Sequence, residues 1–411
     1  MKNGSGKSLI VEAISVLKTL LLGKPLEDEA VSYIRIGSNH LKCTFDFYLI
    51  PHDDSYPKLL ITYSFTLSRD IKEGIIVKNE NLKYKSIAKN GAVTSGKIIE
   101  YDIEDKLYSS SFMTQENMRA LRSYSKDAYK KLEACLQSKK NQRSSFIFNC
   151  DNLNILTKAF NDDVEIKEPL SCLRSYASSY LFIIKNNLLS FPLCSEDNNF
   201  LTPFIHRLTT SSLDVHEDEL QTIRTYVDKL NVVLKTIIPL FNIEIEDDDE
   251  YIREDKSMRK LVLYSNHNGQ KLPFEYESDG IKKLVSILGG FIDLYNDPSV
   301  TLVIDDLDTN LDEYIFGELL KILKENGLGQ LFFTSHNLRP LELLDYKSLF
   351  FTTVNPKNRY TKLTDIKTNN NVRDVYYTSI QVGTKEDDLY EMVDSFTIKN
   401  ALFEAGFNLE E

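Results

Sequence analysis

Apolar and polar positions fall into distinct textures along this chain. Residues 9–22 place Ile10, Ile14, Leu17 and Leu21 at helical spacing, and Gly23 and Pro25 follow as stop signals, so the pattern predicts an amphipathic helix. Residues 41–100 alternate apolar with polar positions in short runs such as KCTFDFYLI and KLLITYSFTL, which predicts antiparallel strands. From about 105 to 240 the texture is helical. Within it Leu220, Ile223, Val227, Leu230, Leu234 and Ile237 repeat at steps of three and four, a narrow seam too short for a long coiled coil and suited to packing within the chain. Residues 251–276 read as strands again. The chain then turns α/β: TLVI at 301–304 predicts a buried strand, about 312–326 a helix ended by Gly327, and QLFFT at 330–334 a second buried strand. Apolar strands joined through a helix imply a parallel sheet covered on both faces.

Composition narrows the class. With 411 residues, 42% of them hydrophobic, the chain can bury one large core or two to three domains. It holds no run of about 18 apolar residues, so no transmembrane helix is expected. Gly4 to Ser8 and Glu12 interrupt any apolar stretch at the start, which argues against a secretory signal. Cys43, Cys135, Cys150, Cys172 and Cys194 are odd in number and form no CxxC pair, so neither zinc nor a disulfide framework is expected, and the reading is a reduced, cytoplasmic protein without a membrane partner.

The net charge of −12 weighs against a nucleic-acid surface over the whole molecule but leaves a local basic patch open. SKKNQR at 138–143 and PKNRYTK at 356–362 are short and read as solvated loops, although Tyr360 could stack on a base. The acidic run EIEDDDE at 244–250 lacks the spacing of an EF-hand and reads as a solvated turn between strands.

Candidate chemistry begins at NGSGKS, residues 3–8, which fits the end of the phosphate-loop pattern G-x-x-x-x-G-K-[S/T]. Gly4 and Gly6 would let backbone amides turn toward phosphates with no side chain in the way, and Asn3 and Ser5 are counted with them in the binding loop. Lys7 supplies a charge to the outer phosphates, Ser8 a hydroxyl to Mg²⁺, and the helix starting there points its positive end at the anion. Met1 stands in the slot of the first glycine and no strand leads into the loop, so the natural protein is expected to start some tens of residues upstream.

TLVIDDLDTNLD at 301–312 supplies the partner of such a loop. Asp305 would emerge at the carboxyl edge of the sheet and hold Mg²⁺ directly or through water. Asp306 sits where a hydrolytic ATPase places its general base, usually Glu. Being one methylene shorter, it predicts slow hydrolysis unless the water comes closer. Asp308 reads as a supporting carboxylate and Asp312 as a helix cap.

At ESDGIKKL, residues 277–284, a family resemblance enters. The segment resembles the signature loop of ABC-type ATPases, with Ser278 and Gly280 at a helix N-terminus. TNLD at 309–312 resembles the D-loop, and His336 in TSHN resembles the switch histidine that reads the γ-phosphate. The order and spacing also match, and the resemblance covers roughly 1–110 and 245–345. It is closest to the SMC-, RecF- and OLD-like ATPases, and among them to the small ABC-type AAA proteins of prokaryotic anti-phage and abortive-infection systems. Two departures stand out. No convincing Q-loop glutamine is found, Gln115 being a weak match, and 345–411 lacks the spaced carboxylates of an OLD nuclease, Asp387 and Asp388 being adjacent.

The resemblance implies an α/β P-loop NTPase, an ABC-type ATPase head with a mixed central sheet, an antiparallel β subdomain and a helical insertion. The implied division is 1–110 for the N-terminal part of the head, 111–244 for the insertion and 245–411 for the C-terminal part. It further implies a homodimer sandwiching two Mg-ATP. Each site would combine Gly4, Gly6, Lys7, Ser8, Asp305, Asp306 and His336 of one chain with Ser278 and Gly280 of the other. The expected function is ATP binding and hydrolysis coupled to a protein effector encoded nearby, in anti-phage defence. The alternatives are a nucleotide-gated interaction module with little hydrolysis and a RecF-like DNA-repair or chromosome-associated ATPase.

Overall fold

A computed structural model of the chain describes residues 6–50, 58–70, 74–88, 90–103, 112–138, 142–185, 213–253, 256–353, 355, 358–362, 373, 376 and 395–407. The backbone separates into two compact units, one holding residues 9–183 and 194–199, the other 1–8, 184–193 and 200–411.

In the first unit, helix α1 (Ser8–Leu21) follows the predicted amphipathic segment and buries Val16, Leu17, Leu20 and Leu21. It turns at Gly23, whose φ of 62° and close approach to the Phe148 carbonyl, 2.2 Å from where a Cβ would stand, leave room for glycine alone. The alternating segment forms a four-stranded antiparallel sheet of β1 (His40–Leu49), β2 (Lys58–Asp70), β3 (Gly74–Ile87) and β4 (Val93–Asp102), in sequence order. On β2 the two-residue period sends Leu59, Ile61, Tyr63, Phe65 and Leu67 to one face, all of them buried. Helices α2 (Gln115–Tyr124), α3 (Lys126–Ser138), α4 (Cys150–Ala159) and α5 (Val164–Ser175) complete the same core with Leu121, Leu132, Leu156 and Leu170. Gln115 opens α2, behind a Thr114 cap. A carboxylate lies inside this core: Glu80 accepts hydrogen bonds from Tyr63 Oη (2.5 Å), Ser145 Oγ (2.6 Å) and Phe146 N (2.6 Å). These offset part of the cost of removing the carboxylate from water.

The stretch expected to be helical also holds two short strands, β5 (Leu181–Ile184) and β6 (Leu213–His216). In the second unit, α6 (Glu217–Ile237) carries the predicted seam. Leu220, Ile223, Val227, Leu230 and Leu234 are buried against Phe241, Ile243, Leu261 and Leu263 of an antiparallel sheet and against Leu284, Val285 and Leu288 of helix α7 (Asp279–Asn296). The sheet is β7 (Phe241–Arg253), β8 (Lys256–His267) and β9 (Gln270–Pro273), with β6 on the far side of β8.

The acidic run is therefore no turn. Residues 244–250 lie inside β7, with an irregularity in register between Asp247 and Glu250. Glu244, Glu246 and Asp247 are met there by cations from neighbouring elements. Arg224 and Arg259 pair with Asp247 at 2.7 and 3.1 Å, and Lys271 pairs with Glu244 and Glu246.

Strand β10 (Thr301–Ile304) is buried at every position and pairs in parallel with β11 (Gln330–Phe333) across helix α8 (Glu313–Asn326), which Asp312 caps through bonds from Tyr314 N and Ile315 N. The expectation of a second buried strand fails at β11, where Phe332 is 48% exposed. No helix among the described residues is long and apolar enough to cross a membrane.

Candidate functional site

The parallel pairing of β10 and β11 brings their carboxyl ends together, and the candidate chemistry collects there. Asp305, which directly follows β10, is buried; its amide donates to the Ile184 carbonyl at 2.8 Å. Its Oδ1 accepts from Thr334 Oγ1 at 2.5 Å, and the same hydroxyl accepts from Asp306 N at 2.7 Å. Thr334 follows β11, and its backbone bonds Ile304 and Leu307 on either side of the carboxylates at 3.0 Å each. Asp306 has φ 45°, a left-handed conformation uncommon outside glycine but tolerated by aspartate.

Asp308 has the supporting role expected of it. Its carboxylate accepts from the amides of His336 (3.1 Å) and Asn337 (2.9 Å), anchoring the loop that carries the histidine. The ring of His336 lies between two charges: Nε2 is 2.6 Å from Lys7 Nζ and 3.7 Å from Asp306 Oδ1. Lys7 Nζ also stands 2.9 Å from Nδ1. Burial lowers the Lys7 pKa, and the attraction of Asp306, Asp308 and Asp305 opposes that shift. Residues 329 positions apart thus meet in one cluster.

Gly6 has φ 92°, a conformation open to glycine. Its carbonyl accepts a 2.5 Å bond from Tyr360 Oη. Tyr360 belongs to β13 (Tyr360–Thr361), antiparallel to β12 (Phe351–Thr352). The side chain suggested above for base stacking is thus engaged with the glycine loop. Ser8 opens α1. Asn3, Gly4 and Ser5 lie outside the described residues.

Ser278 caps α7, accepting from Ile281 N at 3.3 Å, so it satisfies a helix terminus as well as matching the signature. Gly280 abuts the loop after the carboxylates: a Cβ there would stand 2.7 Å from the Asn310 carbonyl. Glu277 anchors the segment from below, accepting from Ser265 Oγ and standing 2.5 Å from His267 Nε2. Among the described residues no hydrogen bond or ion pair joins Ser278 or Gly280 to Lys7, Asp305, Asp306 or His336. The chain assembles one group from Gly6, Lys7, Asp305, Asp306 and His336.

The sequence reading missed Thr334, whose signal was its place at the end of QLFFT beside the paired strand, and the bond from Tyr360 to Gly6. The hard carboxylate oxygens of Asp305 and Asp306 suit Mg²⁺, which takes one or two carboxylates together with phosphate and water oxygens.

Residues 173–342 match the family described as "AAA domain, putative AbiEii toxin, Type IV TA system". This segment is similar to the AAA domains related to abortive-infection proteins. The match takes in Ser278, Gly280, Asp305, Asp306 and His336, and it supports the α/β P-loop NTPase fold class and ATP binding by this AAA segment. No curated protein matches the chain in sequence. Among solved structures, the Smc head with a coiled coil and joint from Pyrococcus yayanosii is 12% identical over 92% of this chain and 93% of its own, with a TM-score of 0.37. The SMC head domain from Thermotoga maritima is 15% identical over 88% of each chain, with a TM-score of 0.31. An Smc head bound to the C-winged helix domain of ScpA is 13% identical over 82% of this chain and 80% of its own, with a TM-score of 0.34. Likenesses this distant add nothing to the assignment.

Proposed function

We propose that the AAA ATPase hydrolyses ATP at the cluster of Lys7, Asp305, Asp306 and His336, working as a cytoplasmic homodimer. The observation that carries this reading is the convergence of Lys7 with His336 at 2.6 Å, beside Asp306, from opposite ends of the chain. Lys7 exchanges its contact with His336 for the outer phosphates of ATP, and the freed ring reads the γ-phosphate. Asp306 accepts the proton of the attacking water as its oxygen bonds to the γ-phosphorus. The bond from that phosphorus to the β-phosphate oxygen breaks, leaving ADP and phosphate. The Ser8 hydroxyl and the Asp305 carboxylate would hold Mg²⁺, which would neutralise charge on the phosphate oxygens.

Ser278 and Gly280, which make no hydrogen bond to the cluster among the described residues, would close over the nucleotide of a second chain, with residues 111–244 as an insertion in the head. Nucleotide then favours the closed dimer and hydrolysis the open one, by differential affinity. The output passes to a protein effector encoded nearby, in anti-phage defence. Steady-state hydrolysis by the wild type and by Asp306→Ala tests the chemistry: a Mg²⁺-dependent rate lost in the variant supports it, and equal background rates remove the hydrolase.

The replacement of the usual Glu by Asp306 favours one second reading, a nucleotide-gated interaction module that turns over little. ATP-dependent dimerisation without hydrolysis would select it.

A further inference from the structure

Helix α7 presents Gly280, Lys283, Ile287 and Gly290 at steps of three, four and three, which places them on one face. Both ends of that face are located by close approaches. A Cβ on Gly280 would meet the Asn310 carbonyl at 2.7 Å, and a Cβ on Gly290 would meet both methyls of Leu302 at 3.0 Å. The face therefore runs from the middle of β10 to the loop beyond Asp308. Lys283 lies between, toward the carboxylate end.

Lys283 is 2% exposed, whereas its neighbour Lys282 is only half-buried and donates to the Glu275 carbonyl at 2.6 Å. Lysine is almost never fully buried without a charge partner. Among the described residues Lys283 Nζ makes no hydrogen bond. The charges that act on it are Asp306, Asp305 and Asp308, in that order of strength, and they oppose the desolvation that lowers its pKa. Lys7 faces the same carboxylates from the nucleotide side. The same three carboxylates thus act on two ammonium groups, one from the glycine loop and one from α7.

We infer that Lys283 is a positioning residue: a built-in cation behind Asp305, Asp306 and Asp308 that balances their charge from the protein side and holds the turn open toward the nucleotide. This rests on the proposed hydrolytic site. Without this charge the crowded carboxylates repel one another, and a divalent cation from solution is drawn in to take its place. With it, a metal is left to arrive with the nucleotide.

The test is Mn²⁺ binding to the nucleotide-free protein, read by electron paramagnetic resonance, for wild type, Lys283→Met and Lys283→Arg. Lys283→Met should bind Mn²⁺ at least about threefold more tightly, and Lys283→Arg should match the wild type. In steady-state hydrolysis Lys283→Met should lose kcat by about tenfold or more with KM changed less than about threefold, and Lys283→Arg should recover most of the loss. If Lys283→Met folds only when Mn²⁺ or Mg²⁺ is supplied, the cation is replacing the lysine and the inference stands. Lys283→Met that binds Mn²⁺ like the wild type, or that is unfolded with and without the ion, overturns it. A Mn²⁺ shift in a protein that hydrolyses no ATP would instead sink the hydrolase and leave the role of Lys283 intact.

Discussion

The hydroxyl of Thr334 donates to Asp305 Oδ1 at 2.5 Å and accepts from Asp306 N at 2.7 Å, so one side chain fixes both carboxylate positions. Thr334→Val keeps the shape and removes both bonds. It should destabilise the fold by about 1–3 kcal/mol, because a part-buried amide loses its acceptor and the buried Asp305 carboxylate loses a donor. Hydrolysis should fall about 10–100-fold, the usual effect of removing a group that orients a metal ligand. Thr334→Ser should retain most of both. Urea unfolding and initial rates at saturating Mg-ATP check the pair, and a full rate in Thr334→Val would show that the carboxylates orient themselves.

Tyr360 holds the glycine loop from outside. Its Oη bond to the Gly6 carbonyl braces a residue at φ 92° next to Lys7. Tyr360→Phe removes that bond alone, worth about 1 kcal/mol, so ATP should bind roughly fivefold more weakly with little change in melting temperature. Titration calorimetry decides it, and equal affinities would remove Tyr360 from the site.

Glu80 makes a prediction about pH. Burial raises its pKa above the ordinary 4.5, and the bonds from Ser145, Tyr63, Phe146 and Ile147 offset only part of the shift. The folded chain therefore holds this proton more tightly than the unfolded one. The associated stability is fully present below about pH 4.5 and is lost as pH rises through the raised folded value. Glu80→Gln stays neutral, and its amide can donate to the hydroxyls while its carbonyl accepts from Phe146 N. The stability of wild type minus that of Glu80→Gln should therefore decline as pH rises from about 4.5 toward neutrality. Urea midpoints across that range measure it; a difference independent of pH would refute the account.

What could be read from the sequence follows from how local each feature is. The apolar run of β10 ending in Asp305, the caps at Ser278 and Asp312, and the seam of α6 are each written in a few neighbouring residues. The acidic strand was misread because its compensating cations, Arg224, Arg259 and Lys271, come from other elements. The Tyr360 bond spans 354 positions and has no local signature. The adjacent Lys282 and Lys283 look alike in sequence. Only the phase of α7 against β10 decides which one is buried.

Gly280 offers the sharpest test of the composite site. A methyl group there would stand 2.7 Å from the Asn310 carbonyl, a backbone atom that cannot swing aside, so Gly280→Ala should cost about 1–3 kcal/mol of stability. Lys7, Asp305, Asp306 and His336 of the same chain are untouched, so ATP should still bind. Hydrolysis should be lost if Gly280 completes the site of a second chain. Asp306→Ala has the opposite defect, an intact Gly280 and no base. Mixed in equal amounts, the two inactive variants should regain roughly a quarter of the wild-type rate, because half of the dimers are mixed and each of those holds one whole site. No recovery, with mixed dimers verified by a tag on one partner, would mean that each chain hydrolyses ATP with its own residues or not at all. The close approach of Gly280 to Asn310 would then be packing within the chain and no part of a shared site.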